Sequence, residues 1–246
     1  MRIIGGQLRS RKILSPKDAV TTRPIPDYVK EAVFNLLRGH CEDGPFLDAF
    51  AGTGSIGIEA ISRGTPRCVF IEKDRRTVEL LEQNIQNLGI ADSCEVVRAD
   101  ALGPAALNHC PHPAHLIFMD PPYALVRDPE SWLRVKLQLE RLIEHLDDTG
   151  YAILRTPWPF FHETLETTDA TVIEDEEDSS TTVEVIHLDE PGADIDLNLE
   201  DFFAGRPAGT TKTIHLDVDL TLPNALGPET HIYGTMAVHL YMKKPQ

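Results

Sequence analysis

The chain is poor in cysteine and has no long apolar run. Four cysteines among 246 residues, Cys41, Cys68, Cys94 and Cys110, stand at wide spacings with no pairing pattern. That argues against a disulfide scaffold and fits reduced thiols. No stretch approaches the roughly 18 to 20 apolar residues needed to span a bilayer. Met1-Arg2-Ile-Ile-Gly-Gly leads into no apolar segment, so no secretory leader is expected and a cytoplasmic protein is the default. A cationic surplus is missing as well, with 39 acidic residues against 23 basic ones and a net charge of −16.

That charge is unevenly placed. Residues 163–230 hold 18 Asp and Glu against only Arg206 and Lys212. The first 40 residues carry eight Lys and Arg against Asp18, Asp27 and Glu31. The global balance therefore hides a basic N-terminal end, a neutral body and a separate acidic segment. A basic end of this size can bind phosphates, although ordinary solvated surface explains it about as well.

What is present is a rhythm of short apolar strands and amphipathic helices. Arg2-Ile-Ile-Gly-Gly and Arg11-Lys-Ile-Leu read as two short strands around a turn, and Asp27 as the cap of a helix through about Leu37. Strands follow at Phe46–Phe50, Arg67–Ile71, Cys94–Arg98, His115–Met119 and Tyr151–Leu154. Helices are expected at Ser55–Arg63, at Asp74–Leu88 closed by Gly89, and at Pro129–Leu146. Thr235–Met242 alternates as a final, half-exposed strand. Strands separated by helices give a doubly wound, mostly parallel α/β sheet. Between Thr168 and Ile232 the pattern changes. After the charge run Asp175–Asp178 come period-two stretches, Ile195/Leu197/Leu199 and Ile214/Leu216/Val218/Leu220/Leu222. These predict an inserted β-rich excursion with one acidic, wet face.

The chemistry-bearing residues fall at successive strand ends. Asp48 lies in the first strand, and Gly52-Thr-Gly54-Ser-Ile-Gly57 follows it as a G-x-G-x-x-G turn that opens a helix. Such a turn lets backbone approach a nucleotide-like ligand, dinucleotides included. Glu72 ends the second strand and suits ribose hydroxyls, which NAD and S-adenosylmethionine both carry. Asp48 discriminates, since a carboxylate repels a pyrophosphate and attracts the ammonium group of a sulfonium ligand. Asp100 follows the third strand and can accept from an adenine amine, or cap a helix. The fourth strand runs into Asp120-Pro121-Pro122-Tyr123, a stiff corner with acceptors at one edge and a ring at the other. His109-Cys-Pro-His112-Pro-Ala-His115 tempts a metal reading, but its prolines and the lack of a second cluster read as a loop with incidental ligands, so no metal is expected there.

Taken together these residues resemble a class I S-adenosylmethionine-dependent methyltransferase, whose D/N-P-P-Y/F motif serves exocyclic amines. More closely, the sequence resembles the RsmD family. The resemblance rests on Arg2-Ile-Ile-Gly-Gly, Arg23-Pro24 leading to Glu31-Ala-Val-Phe-Asn35, Asp48-Ala-Phe-Ala-Gly-Thr-Gly-Ser55 and Tyr233-Gly-Thr235. Pro26, Tyr28 and the acidic insertion depart from the family pattern. The resemblance implies a seven-stranded Rossmann-like sheet over 41–168 and 231–246, a small N-terminal β/helix extension over 1–40 and an acidic insertion over 169–230. It implies methylation of guanine N2 in 16S ribosomal RNA, free or in a 30S assembly intermediate, by a monomer. Asp120, Pro121, Pro122 and Tyr123 would be catalytic. Asp48, Ala49, Gly52, Gly54, Glu72, Asp100 and Ala101 would hold S-adenosylmethionine. Arg2, Arg9, Arg11, Lys12 and Arg23 would contact RNA. Competing readings are an adenine-N6 DNA methyltransferase, a vestigial methyltransferase-like binding subunit and an NAD enzyme, the last weakened by the lack of a hydride-transfer site.

Overall fold

In the computed structural model the described residues are 1–16, 25–168 and 210–245. They form two compact units, Met1–Phe160 with Asp219–Gln246, and Phe161–Val218. In the first unit the helices are α1 (Asp27–Leu36), α2 (Ser55–Ser62), α3 (Arg75–Leu88), α4 (Pro104–His109), α5 (Tyr123–Arg127) and α6 (Pro129–Ile143). Its strands are β1 (Phe46–Ala49), β2 (Cys68–Glu72), β3 (Cys94–Arg98), β4 (Ala114–Met119) and β5 (Leu146–Pro157), then β8 (Ala225–Tyr233) and β9 (Met236–Lys243). These seven strands pair in the order β3-β2-β1-β4-β5-β9-β8. The first five run parallel, and β9 joins β5 and β8 antiparallel. Strands β1 and β4 are buried at every position, as expected of parallel strands covered by helices on both faces.

The chain builds outward from β1 to β3, then returns to place β4 on the other side of β1. The gap between the carboxyl ends of β1 and β4 is therefore a topological switch point, where open α/β sheets take their ligands.

Local signals explain the helix ends. The Asp74 side chain accepts from Thr77 N at 2.8 Å to start α3, and Gly89 ends it at φ 70°. Asp128 likewise caps α6 through Ser131 N at 2.8 Å, with Pro129 in the first turn. Asp27 is not a cap. Pro26 holds that position with no side-chain bond, and Asp27, inside the first turn, pairs with Arg2 at 3.0 Å.

The expected N-terminal hairpin reduces to one antiparallel bridge, Arg2 with Lys12. A buried carboxylate anchors this arm. Glu59 on α2 accepts from Ile4 N and Gly5 N at 2.8 Å each, and pairs with Arg63 at 2.8 Å and with the equally buried Lys30 at 3.4 Å. Lys30 in turn donates to Arg2 O at 2.8 Å. Gly6, at φ 74°, presses on α2 so closely that an added Cβ would stand 1.8 Å from Ser62 O.

The acidic insertion has different borders from those expected. Strand β8 belongs to the seven-stranded sheet, and Leu222 is buried in that unit, so 219–230 is not part of an insertion. Among the described residues the second unit shows one antiparallel pair, β6 (Phe161–Thr168) with β7 (Thr210–Asp217). The expected alternation at Ile214 and Leu216 falls on β7, whereas Leu220 and Leu222 lie beyond it. Ile195, Leu197, Leu199 and the run Asp175–Asp178 lie outside the described residues.

Replacing Glu59 by Gln leaves the Lys30 ammonium buried without its counter-charge. It should cost about 3 kcal/mol or more of unfolding free energy, read from the urea midpoint.

Candidate active site

The glycine turn is shaped by steric demands that differ at each position. Gly52 (φ 56°) has open space where a Cβ would project. Gly54 (φ 85°) sits at the start of α2, where a Cβ would meet Leu81 at 2.4 Å. Gly57 lets α2 lie on the sheet, because a Cβ there would stand 2.3 Å from the Phe70 ring. Just before the turn Phe50 adopts φ 66°, a left-handed conformation unusual for a bulky residue. Strain of this kind persists only where the surroundings enforce it, and it collects at ligand sites.

Acidic side chains hold the turn in place. Asp48 is almost fully buried beneath it and accepts from Gly57 N at 2.8 Å. Burial raises its pKa from 3.8 to about 7, and the Asp120 and Glu72 charges push in the same direction. Glu72 bridges the rim, accepting from Gly52 N at 3.0 Å and from Asp74 N at 2.8 Å. Asp100 is exposed one strand further out and closes a turn by accepting from Leu102 N at 3.0 Å. The helix that follows begins only at Pro104, so Asp100 is not its cap. Ala101 is buried, and its carbonyl accepts from Gln138 at 2.9 Å. Ala49 is buried on β1 and its carbonyl accepts from Asp120 N at 3.3 Å.

That last bond places the Asp120-Pro-Pro-Tyr corner directly beside the glycine turn. The Asp120 side chain keeps 19% of its surface exposed and accepts from Arg155 Nε at 2.5 Å. Desolvation raises the pKa of Asp120, and the Arg155 charge works against that rise. Pro121 is buried, Pro122 is exposed, and Tyr123 opens α5 half-buried. The guanidinium carbons of Arg155 and Arg127 lie 5.5 and 5.9 Å from the Tyr123 ring centre. Five adjacent strand ends thus contribute to one rim, through the glycine turn, Glu72, Asp100, Asp120 and Arg155.

Arg155 was not foreseen from the sequence. Its signal was there: a lone charge directly after the apolar run Tyr151–Leu154, just as Asp120 follows the apolar run of β4. Arg127 was missed because a five-residue helix leaves too short a periodic pattern to read.

The basic residues divide. Arg2 pairs with Asp27, and Arg11 donates to Asn87 O at 3.0 Å. Arg9 and Lys12 are exposed, with no ion pair among the described residues. Arg23 lies outside those residues. The histidines of the His109–His115 stretch part company. His109 bonds Glu95 at 2.7 Å, His112 meets His145 edge to face, and His115 lies between Asp147 at 2.8 Å and His40 at 3.0 Å. His40, Asp43 and His115 bring possible ligand atoms within 4.8 Å of one another. The His40 and His115 rings are nearly parallel, 19° apart with centres at 5.2 Å, and His40 Nδ1 stands 3.0 Å from His115 Nε2. That is the geometry of a hydrogen bond, not of two lone pairs converging on an ion.

A family model described as Conserved hypothetical protein 95 matches residues 1–153. The chain belongs to the RsmD family of methyltransferases. It is 36% identical over 151 residues to Ribosomal RNA small subunit methyltransferase D of Escherichia coli strain K12, covering 61% of this chain and 69% of that protein. It is 34% identical over 156 residues to YlbH of Bacillus subtilis strain 168, covering 62% and 80%. The solved structure of Escherichia coli yhhF superposes on this RsmD-family chain with a TM-score of 0.62 at 25% identity, covering 100% and 99%.

The buried Asp48 gives a pH test of the site's stability. Between about pH 4 and pH 7 folded Asp48 keeps its proton while the unfolded side chain has released it. Stability therefore falls with rising pH in that window, by up to about 1.4 kcal/mol per unit from this group. Asp48→Asn keeps an acceptor for Gly57 N and should flatten that slope in denaturant titrations at pH 5, 6 and 7.

Proposed function

We propose that this chain transfers a methyl group from S-adenosylmethionine to the exocyclic N2 amine of a guanine in small-subunit ribosomal RNA. The observation that carries the reading is the bond from Asp120 N to Ala49 O, which sets the acid–Pro–Pro–Tyr corner against the glycine turn at the switch point. Family membership and the names of the relatives support the methyl donor and the RNA substrate.

The residues present fit the donor. The space at Gly52, where any side chain would project, can take a ligand's backbone-hugging portion. Glu72 would accept from the ribose hydroxyls and Asp100 from the adenine amine. Asp48, sealed beneath the turn, would act at one remove, by fixing the backbone of Gly57. S-adenosylmethionine supplies a methyl group on an electron-poor sulfonium centre.

The chain's own groups handle the acceptor. The lone pair of a guanine N2 amine is delocalised into the ring, which makes it a poor nucleophile. The Asp120 carboxylate and the Pro121 carbonyl would accept its two hydrogens and turn the lone pair toward the donor. As charge develops on nitrogen, Asp120 would stabilise it; the new carbon–nitrogen bond replaces the carbon–sulfur bond, whose pair stays on sulfur, and the extra proton would then pass to solvent. The two prolines keep these acceptors from relaxing away. Tyr123 would stack on the extruded base, with the exposed Arg127 giving way. Among the described residues of the N-terminal arm, Arg9 and Lys12 would be the cations open to RNA phosphates.

The deciding measurement is nucleoside mass spectrometry and primer extension on small-subunit rRNA from cells with and without this chain. One N2-methylguanosine should depend on it, and its persistence without the chain would refute the reading. Asp120→Ala should lower kcat by at least about 100-fold without unfolding the protein. Replacing Arg9 and Lys12 by Gln should reduce the salt dependence of RNA binding by about two ion equivalents, measured by filter binding over a salt series.

A further inference from the structure

We propose that Arg155 reads the base, forming with Asp120 a donor–acceptor pair that matches the Watson–Crick edge of guanine and opposes that of adenine. The inference rests on the guanine reading above and adds the residue that selects the base.

Arg155 is only 7% exposed, yet it lies at the carboxyl end of β5 beside the active-site corner. Its neighbour Leu154 is in register with Met119, the residue before Asp120. Burying a guanidinium is costly, so its position calls for a cause. Neutralising Asp120 is not sufficient as a cause. An asparagine at 120 would accept an amine hydrogen without needing a cation beside it. Nor does the cation favour the transfer. The acceptor amine gains positive charge as it reacts, and a neighbouring guanidinium opposes that.

What the guanidinium does supply is unused donors. Arginine carries five N–H groups in a fixed fork, and the recorded bond to Asp120 engages Nε. Among the described residues the buried side-chain polar atoms without partners are on His145 and Asn224, so neither Nη nitrogen is sealed into the core unpaired. Those donors lie next to the Asp120 carboxylate, on a guanidinium whose carbon is 5.5 Å from the Tyr123 ring centre. Guanine presents N1–H and N2–H donors beside the O6 acceptor along one edge. Asp120 accepts from the first two while Arg155 donates to O6. Adenine offers an amine where guanine has O6, and would set donor against donor.

The test uses the full chain and a small-subunit rRNA fragment assembled by ligation. The guanine methylated by the unaltered protein is either kept or replaced by 2,6-diaminopurine. Diaminopurine retains the N2 amine but exchanges O6 for a second amine and the N1–H for a lone pair, so it disfavours both the Arg155 and the Asp120 contacts. The unaltered protein should prefer guanine by about 10- to 100-fold in kcat/KM. Arg155→Met should lower that ratio by at least about threefold by losing rate on guanine, the remaining preference coming from N1 against Asp120. Arg155→Lys, which restores a donor, should recover part of the preference and serves if the Met variant does not fold. Affinity for the two fragments, measured by filter binding with S-adenosylhomocysteine present, should follow the same order. A folded Arg155→Met, or Arg155→Lys in its place, that discriminates exactly as the unaltered protein does with neither variant lowering the ratio overturns the inference, as does an unaltered protein with no preference. Absence of transfer to any rRNA guanine by the unaltered protein instead overturns the function reading, and this inference with it.

Discussion

Everything at the active site depends on β1 pairing in parallel with β4. Strand β1 has only four residues, all buried, and strands on both sides. Its register with β4 sets Ala49 against Met119, so the two chains leave the sheet at the same level. One exits into glycine and the other into Asp-Pro-Pro. A one-residue slip would turn every side chain on β4 to the opposite face and carry Asp120 away from the turn. Side-chain size on the two packed faces opposes that slip, since it would change which residues fill each helical layer. Burial thereby fixes the position of a charged group that burial itself disfavours.

The charged residues inside this fold are held in small, closed groups. Glu59 serves two backbone amides and two cations, and Asp48 serves one amide at the cost of a raised pKa. Asp120 and Arg155 pair at the rim through a single Nε contact that leaves the Nη donors over. The first group joins the N-terminal arm to α2, the second fixes the glycine turn to the sheet, and the third orients the corner. Each costs desolvation free energy that an apolar substitute would avoid, and each fixes a geometry that an apolar substitute could not.

Much of this was legible in the sequence because it is local. Strand β3 is bounded by Cys94 and Arg98 as read, and Gly89 ends α3 as its position suggested. The five strand-end positions follow from apolar runs that stop at a charge or a glycine. Other features were not legible because they need a distant partner. Asp27 has the composition of a cap, but Pro26 already occupies that place and Arg2 claims the carboxylate. Strand β8 contains Gly227 and Pro228 and faces solvent along much of its length, so no alternation marks it as part of the main sheet. Its pairing with β9 shifts register between Leu226 and Glu229, which further blurs the pattern. The burial of Asp48 beneath the glycine turn could not be read either. A carboxylate in a strand looks the same whether it faces a ligand or an amide.

The tight seat of Gly6 on α2 has a consequence for the kind of RNA this protein accepts. On the proposed reading, an arm that cannot swing would be a gauge of fixed length between the phosphates and the reacting amine. Such a gauge would measure the contour of a folded RNA, so a nucleotide would qualify by where it stands relative to its own backbone. Sequence around the target would then count mainly through the shape it gives the RNA.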